Sequence, residues 1–217
     1  MKGTAPFSLQ PPYRVGWYID GFNLYHALAA LDEPSVKWLD LWSLARSYLR
    51  DDQVIERVFY STAVNTWDPG KRSRHMEYIK ALQHQGVDVR EARFDKTRKF
   101  CRKNEVYCVF REEKQSDVNL AVNALCDLYE KKVDTAFFLT ADSDQVPTFR
   151  AIIEKFPDAR LNLLAPPGRL EQARELAALA HNKFELTAGR IKQHLLPEVI
   201  SDDGGVVARR PIEYAAD

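Results

Sequence analysis

YIDGFNLY, the stretch Tyr18–Tyr25, decides which fold this sequence can adopt. An apolar run with β-strand character ends at Ile19, and Asp20 follows it directly. Gly21 then predicts a turn, and a segment with helical spacing of its apolar residues begins at Asn23. In open parallel α/β sheets, ligands bind outside the carboxyl ends of the strands. Asp20 therefore stands where such proteins carry out their chemistry.

A second stretch, LTADSD at Leu139–Asp144, repeats this arrangement about 120 residues later. The strand that leads into it, Asp134–Ala141, is the most hydrophobic of the chain, as expected for a central position in a parallel sheet. Predicted strands and helices alternate along the chain, with no internal repeat. This order predicts a doubly wound α/β domain with a mostly parallel sheet and helices on both faces.

The domain is flanked by two less regular segments. Residues 1–12 hold three prolines and little periodicity, which indicates a flexible N-terminal arm. The α/β domain covers residues 13–197, and residues 198–217 form a weakly patterned tail that can pack on the domain or on a partner. Within the domain, a basic and then alternating segment at about 95–113 predicts a hairpin or flap.

The helix after the flap has a strong apolar pattern. Ser116 is expected to cap its N-terminus, and Asp127 is expected on its solvent side, paired with Lys131. The predicted buried stripe comprises Val118, Ala121, Val122, Leu125, Leu128 and Tyr129.

Composition limits the class of protein. The 217 residues include 31 basic and 31 acidic ones, so nucleic-acid binding would require local patches of positive charge rather than a global field. No apolar run has the length of a membrane span, and the first residues lack the core of a signal peptide. An odd and sparse set of three cysteines fits free thiols in a reducing cytoplasm.

Four aspartates are candidate metal ligands: Asp20, Asp117, Asp142 and Asp144. If the strands that end at Asp20 and Asp142 are neighbours, their carboxylates converge at one edge of the sheet. Carboxylates at close range raise one another's pKa, and a divalent cation relieves the repulsion. An all-oxygen ligand set suits Mg²⁺, which in such a site supports hydrolysis of phosphate esters.

Purely structural roles remain open for several of these residues. Asp117 and Asp144 lie in predicted first helical turns, where acids stabilise the helix dipole without further function. Asn23 either caps the first helix or orients a carboxylate or a metal-bound water. Ser143 fits local turn chemistry or a ligand contact, and Lys114 fits a solvated side chain or a phosphate contact.

Three blocks of sequence resemble the NYN domain ribonucleases of the PIN-like superfamily, in particular the bacterial LabA-like branch. The blocks are YIDGFNLY, EEKQSDVNLAVNAL and FFLTADSDQVPTFRAI, in that order, and the resemblance covers most of residues 14–200. The sequence departs from the family at Thr140-Ala141, where Ser-Gly is more common. The resemblance implies a PIN-like three-layer α/β sandwich and a nuclease site of clustered aspartates.

Carried over to this chain, the resemblance implies that the same four aspartates bind one or two Mg²⁺ or Mn²⁺ ions and that Asn23 joins them in catalysis. The expected activity is hydrolysis of single-stranded or structured RNA by a metal-activated water. The flap's basic and aromatic residues can grip the backbone and stack bases, although a solvated hairpin fits the same pattern. The candidate RNA contacts are Lys96, Arg98, Lys99, Arg102, Lys103, Arg72, Arg74, Lys114 and Ser143.

Other functions remain alternatives at this point. The chain can be a catalytically weak or silent RNA-binding module of the same fold. A phosphatase with Asp20 as nucleophile is a third hypothesis, although such enzymes typically have a second acid two residues later and Phe22 stands there. Relatives often carry a cysteine pair in the flap, but the spacing of Cys101 and Cys108 does not favour zinc. A homodimer is left open.

Overall fold

The computed structural model of the chain describes residues 12–102 and 105–215. The expected arm, apart from residue 12, and Lys103 of the flap lie outside these described residues.

A seven-stranded sheet forms the middle layer, and its strand order is β4-β3-β2-β1-β5-β6-β7. Every neighbouring pair is parallel except β3 and β4, which form an antiparallel hairpin. β1 lies between β2 and β5, so the two strands that end in acidic turns are neighbours, as the prediction requires. The strands are β1 (Tyr13–Asp20), β2 (Gln53–Ala63), β3 (Asp88–Cys101), β4 (Val106–Lys114), β5 (Thr135–Leu139), β6 (Arg160–Ala165) and β7 (Asn182–Glu185).

In the part of the chain that the structure describes, seven helices cover the two faces of this sheet, which confirms the predicted three-layer α/β fold. Residues of α1, α2, α3 and α7 join the core cluster on one face, and residues of α4, α5 and α6 join the cluster on the other. The helices are α1 (Gly21–Ala29), α2 (Leu41–Arg46), α3 (Pro69–His84), α4 (Ser116–Tyr129), α5 (Val146–Lys155), α6 (Arg174–Leu179) and α7 (Ala188–Lys192). Short 3₁₀ helices span Pro34–Trp38, Ser143–Gln145 and Ile212–Tyr214.

The sequence of β1 suits a central strand because its side chains alternate between two apolar layers. Trp17 points to one core cluster and stacks on Phe137 with ring centroids 4.3 Å apart. Tyr18 points to the other cluster, where it packs against Phe59 and Phe138. Burying each such ring stabilises the fold by roughly 1.5–3 kcal/mol. This burial holds the end of β1, and with it Asp20, in a fixed place.

The buried face of α4 differs from the prediction. Leu120, Ala124 and Leu128 are buried, whereas Val118 and Tyr129 are 63% and 79% exposed. Asp127 also faces inward and is 3% exposed, so its expected place on the solvent side was wrong. The cap differs too, because Gln115 in the left-handed conformation precedes the helix and Ser116 is its first residue.

Side chains from β1 and β2 stabilise the buried carboxylate of Asp127. Its carboxylate accepts hydrogen bonds from the Tyr18 hydroxyl at 3.0 Å and from the Arg57 guanidinium at 2.7 Å. Arg57 also pairs with Asp88 and donates to Asn123 at 3.0 Å. A buried charge is tolerated when it is paired in this way, so a polar network overrides the apolar periodicity of the helix.

The C-terminal segment packs on the domain. It forms a second, two-stranded sheet of β8 (Val199–Asp202) and β9 (Gly205–Arg209). Ile200 and Ala208 are buried in the same core cluster as Trp17. Next to the hairpin, Arg74 of α3 pairs with Glu213 at 2.7 Å.

Gly21, the first residue of α1, has no room for a side chain. A Cβ built there would lie 2.6 Å from the backbone oxygen of Ser61 and 2.6 Å from the Tyr60 ring. We expect Gly21→Ala to lower the unfolding free energy by about 1–3 kcal/mol, the usual cost of overpacking. Thermal unfolding should show this as a loss of roughly 2–12 °C.

Gly189→Ala is the matched control, because nothing lies within 4 Å of a Cβ built at this helical glycine. Alanine favours a helix over glycine by about 1 kcal/mol, so this variant should unfold at the same temperature as the wild type or higher. Equal melting temperatures for Gly21→Ala and the wild type would contradict the close packing at Gly21.

Candidate metal centre

Asp20 ends β1 and begins α1, and both of its carboxylate oxygens have partners. Oδ1 accepts a hydrogen bond from the backbone N–H of Asn23 at 2.9 Å, which caps α1. Oδ2 accepts one from the Thr140 hydroxyl at 3.0 Å. The side chain is 3% exposed, and burial is the main cause that raises its pKa to about 6. Asp20 thus stands at a fixed position where its negative charge is unfavourable without a counter-charge.

The turn after β5 places Asp142 next to Asp20. The hydroxyl of Thr140 donates to Asp20 and accepts a 3.1 Å hydrogen bond from the backbone N–H of Asp142, so it joins the two acids. The side chain of Asn23 accepts a 3.0 Å hydrogen bond from the backbone N–H of Ala141. Asn23 therefore joins the first turn to the second, and Asp20 rather than Asn23 is the residue that caps α1.

Asp117 reaches the same place from the first turn of α4. Gln145, which is 1% exposed, donates a 3.0 Å hydrogen bond to the backbone oxygen of Asp117 and so links α4 to the turn after β5. Burial, together with the nearby carboxylates of Asp142 and Asp144, raises the pKa of Asp117.

Asp20, Asp117 and Asp142 form a group whose ligand oxygens lie within 4.8 Å of one another. Opposite ligands of an octahedral Mg²⁺ stand about 4.2 Å apart, because each bond is about 2.1 Å long. Small shifts of the side chains would therefore let the three oxygens share one ion. An all-carboxylate donor set fits Mg²⁺ or Mn²⁺. Among the described residues, none forms a hydrogen bond with the buried Oε1 of Gln145, which lies next to Asp117.

Glu113 is a nearby acid that sequence reasoning did not single out. It lies on β4 at the base of the flap, and Ser116 hydrogen-bonds to its carboxyl group. Its buried Oε1 has no hydrogen-bond partner within residues 12–102 and 105–215. Burial, with the negative charges of Asp20 and Asp117 as further causes, raises its pKa to about 7. The antiparallel pairing of β3 and β4, which directs Glu113 toward the aspartates, was the missing information.

Two further predicted site residues lie at the edge of this group. Asp144 is exposed and lies outside the set of three, although its backbone N–H donates to Asp142 at 3.0 Å. Ser143 is exposed in the same 3₁₀ turn.

The basic residues of the flap separate onto its two faces. Lys96 lies opposite Arg111 in the strand register of the hairpin, and Arg98 lies opposite Val109. These residues are on the face that also carries Glu113. Lys99 lies on the opposite face and pairs with Glu112. The other candidate RNA contacts are placed as follows: Lys114 pairs with Glu112 at 3.1 Å, Arg102 and Arg72 are exposed, and Arg74 pairs with Glu213.

Cys101 and Cys108 are free thiols that stand in the flap. Cys108 lies opposite Lys99, so the two cysteines occupy diagonal positions on the face away from Glu113.

A cavity of about 310 Å³ begins at Gly21, the residue after Asp20. Its walls come from α1, the end of β2, α3 and the flap, and we call it the aromatic cavity. Its aromatic lining consists of Phe22, Tyr25, Tyr60, Trp67, Tyr78, Phe94 and Tyr214.

Comparison with known proteins supports a relationship over most of the chain. The NYN domain family matches residues 14–184. The chain is 28% identical over 229 aligned positions to the 6-hydroxy-3-succinoylpyridine 3-monooxygenase HspA of Pseudomonas putida, covering 87% of this chain and 72% of that protein. In fold it is similar to a protein of unknown function from Vibrio parahaemolyticus, with a TM-score of 0.55 at 16% identity, covering 85% of this chain and 96% of that one.

Within the part of the chain that the structure describes, no helix combines the length and apolarity that a membrane crossing needs.

Added Mn²⁺ should stabilise the protein at pH 7.5. An ion present at about 100 times its dissociation constant adds about 2.7 kcal/mol, or roughly 5–11 °C in melting temperature. The shift should shrink at pH 5, because Asp20, with a pKa of about 6, is then protonated. Asp142→Asn should lose most of the shift. The exposed Asp158→Asn should keep it, and an equal shift in both variants would contradict the site.

The pH dependence of stability should reveal Glu113 when a chelator is present. Its pKa rises from 4.5 to about 7 on folding, so the folded chain binds more protons than the unfolded chain in this window. The unfolding free energy contributed by this group therefore falls as the pH rises from 4.5 to 7. Glu113→Gln should flatten that part of the profile, as measured by chemical unfolding.

Glu112→Gln is the neighbouring control with the opposite sign. Lys99 and Lys114 lower the pKa of Glu112, so its favourable contribution exists at neutral pH and disappears in acid. The variant should lose a little stability at pH 7. Identical pH profiles for Glu113→Gln and the wild type would show that Glu113 is not held among the aspartates.

Proposed function

The chain belongs to the NYN domain family, and from that premise we propose that it is a metal-dependent endoribonuclease that hydrolyses phosphodiester bonds of RNA. The observation that carries the proposal is the convergence of Asp20, Asp117 and Asp142 within 4.8 Å at the carboxyl ends of β1 and β5. Polar side chains at this edge of a parallel sheet are where ligands of such folds bind.

Each acid has a distinct part in this proposal. Asp20, Asp117 and Asp142 would hold the cation, either Mg²⁺ or Mn²⁺ and one or two ions, and Asp144 would extend the site toward solvent. When bound, such a cation would supply an activated water and would neutralise the charge that develops on the phosphate. Thr140 and Asn23 keep the two acidic turns at a constant distance.

Glu113 adds a proton-carrying group. Burial is the main cause that raises the pKa of its carboxyl group to about 7, and a pKa near neutrality suits proton transfer to or from reacting oxygens. Glu113 lies at the base of the flap, so an RNA strand bound along the flap would lie next to its carboxyl group.

RNA would reach the acids along the flap face that bears Glu113. Lys96, Arg98 and Arg111 supply positive charge on this face, and Phe100 and Tyr107 pack edge to face at 5.3 Å near its tip. Cations that follow a backbone, together with rings on which bases stack, are the usual features of single-strand binding. Because the overall charge is balanced, electrostatic attraction of RNA depends on local patches such as this one.

A silent RNA-binding module is the alternative within the same fold. It predicts RNA binding that a chelator does not change and no cleaved product. The raised pKa values of Asp20 and Glu113 favour the enzyme, because strongly perturbed acids in one cleft are typical of functional sites.

A second candidate function comes from the relative named as a monooxygenase of a pyridine derivative. The aromatic cavity is the observation that favours this function, since a pocket lined by aromatic rings suits a small aromatic ligand. A monooxygenase places one oxygen atom of O₂ on the ring and reduces the other to water with two electrons from a donor such as NADH. NADH and O₂ consumption on addition of a hydroxypyridine carboxylate would favour this function over the nuclease.

Cleavage of a labelled single-stranded RNA is the test of the nuclease. The wild type should cut it with Mg²⁺ or Mn²⁺ and stop when a chelator is added. Asp142→Asn should cut about 10²–10³-fold more slowly, the cost of losing one preorganised electrostatic contact. Asp158→Asn should cut at the wild-type rate, since Asp158 is exposed and outside the acidic group. Equal rates for Asp142→Asn and the wild type would reject the assignment.

A further inference from the structure

We propose that the aromatic cavity binds one unstacked nucleotide of the RNA strand, with the base between its rings and the phosphate toward Asp20. The inference rests on the proposed nuclease function. It adds that the enzyme selects single-stranded RNA, because a base held in this cavity has left its helix.

The position of the cavity supports this. Gly21 lies in its wall and is the residue directly after Asp20, so the acidic group and the cavity share one turn of chain. The cavity is also lined by Thr62, at the end of β2, and by Phe94, which pairs with Glu113 across the flap. When a phosphate of an RNA strand lies at Asp20, Asp117 and Asp142, the base next to that phosphate therefore lies at the mouth of the cavity.

The walls offer surfaces for stacking. Phe22, Tyr25 and Trp67 line the cavity and are 38%, 41% and 40% exposed, so parts of their rings are accessible to a ligand. Trp67 already packs edge to face against Phe94 at 5.0 Å, and the guanidinium of Arg111 lies 4.2 Å from its ring centroid. Planar bases stack on such aromatic surfaces.

The charge of the lining fits an anionic ligand. Lys37, Lys71 and Arg111 line the cavity, and no aspartate or glutamate is among its lining residues. The neighbouring group of Asp20, Asp117 and Asp142 has the opposite charge. A nucleotide matches both: its phosphate meets a cation held by the acids on one side and the cavity's own cations on the other.

Polar groups within the apolar walls can form hydrogen bonds with the edge of the bound base. The hydroxyl of Thr62 lies 3.2 Å from Nε2 of His75, and both residues line the cavity. Burial lowers the pKa of His75 to about 4, so its imidazole is neutral and can both donate and accept hydrogen bonds. A few polar groups in an apolar pocket are what fix the orientation of a ligand.

The size of the cavity suits one nucleotide. A volume of about 310 Å³ is at the lower end of the range of about 300–1,000 Å³ for small-molecule pockets. This volume is sufficient for one base with its sugar.

Equilibrium binding of the four nucleoside 5′-monophosphates to the full chain, with Mn²⁺ present, tests the proposal. The wild type should bind at least one of them, and Trp67 fluorescence should change on binding. Trp67→Ala should weaken binding about 5- to 100-fold, the loss expected from one stacking contact. Arg111→Gln should weaken it in the same direction. Tyr129→Ala should leave it unchanged, because this ring is 79% exposed on α4 and does not line the cavity.

A second arm uses RNA cleavage. In Trp67→Ala, KM for a single-stranded RNA should rise by a similar factor while kcat changes less, whereas Asp142→Asn should lose kcat. Cleavage by the wild type with no effect of Trp67→Ala on KM or on nucleotide binding would overturn the cavity proposal and leave the nuclease intact. An absence of cleavage together with Trp67-dependent nucleotide binding would reject the nuclease and retain the nucleotide site.

A third outcome is that the wild type binds a hydroxypyridine carboxylate and none of the four nucleotides, and that Trp67→Ala loses this binding. It would overturn the proposal and identify the ligand of the cavity as a small aromatic acid.

Discussion

The hydrogen bond between the Thr140 hydroxyl and the Asp20 carboxylate is the contact on which the site depends. It joins the end of β1 to the end of β5, and the same hydroxyl accepts the backbone N–H of Asp142. Asp20 also caps α1 through the N–H of Asn23. One carboxylate thereby fixes two strands and a helix, and its own position is fixed in return.

This arrangement has an electrostatic cost. Asp117 enters the site that Asp20 and Asp142 occupy, and their oxygens lie within 4.8 Å. Burial and mutual repulsion raise the pKa of Asp20 to about 6 and that of Glu113 to about 7. Ionised carboxylates at close range are stable in a folded protein when a positive charge balances them. A divalent cation suits this role because all the ligand atoms are oxygens. The same cation would join a negatively charged strand to an acidic site.

The sequence predicted the α/β fold, because the fold follows from the alternation of apolar strands and helices along the chain. The convergence of Asp20 and Asp142 was conditional on their strands being neighbours, and the strand order meets that condition. The sequence did not predict the inward Asp127, since partners more than 60 residues away, Tyr18 and Arg57, neutralise that charge. Glu113 and the aromatic cavity were also missed. Both depend on the register of β3 and β4, which local sequence does not specify.

The central claim is that the carboxylates of Asp20, Asp117 and Asp142 bind one cation between them. The most direct test is a crystal structure of the protein soaked in Mn²⁺, with anomalous diffraction used to locate the metal. We expect an anomalous peak within about 2.0–2.3 Å of an oxygen from each of the three carboxylates, at normal oxygen–metal bond lengths. Well-ordered side chains with no peak between them, or a peak only elsewhere on the protein, would contradict the account.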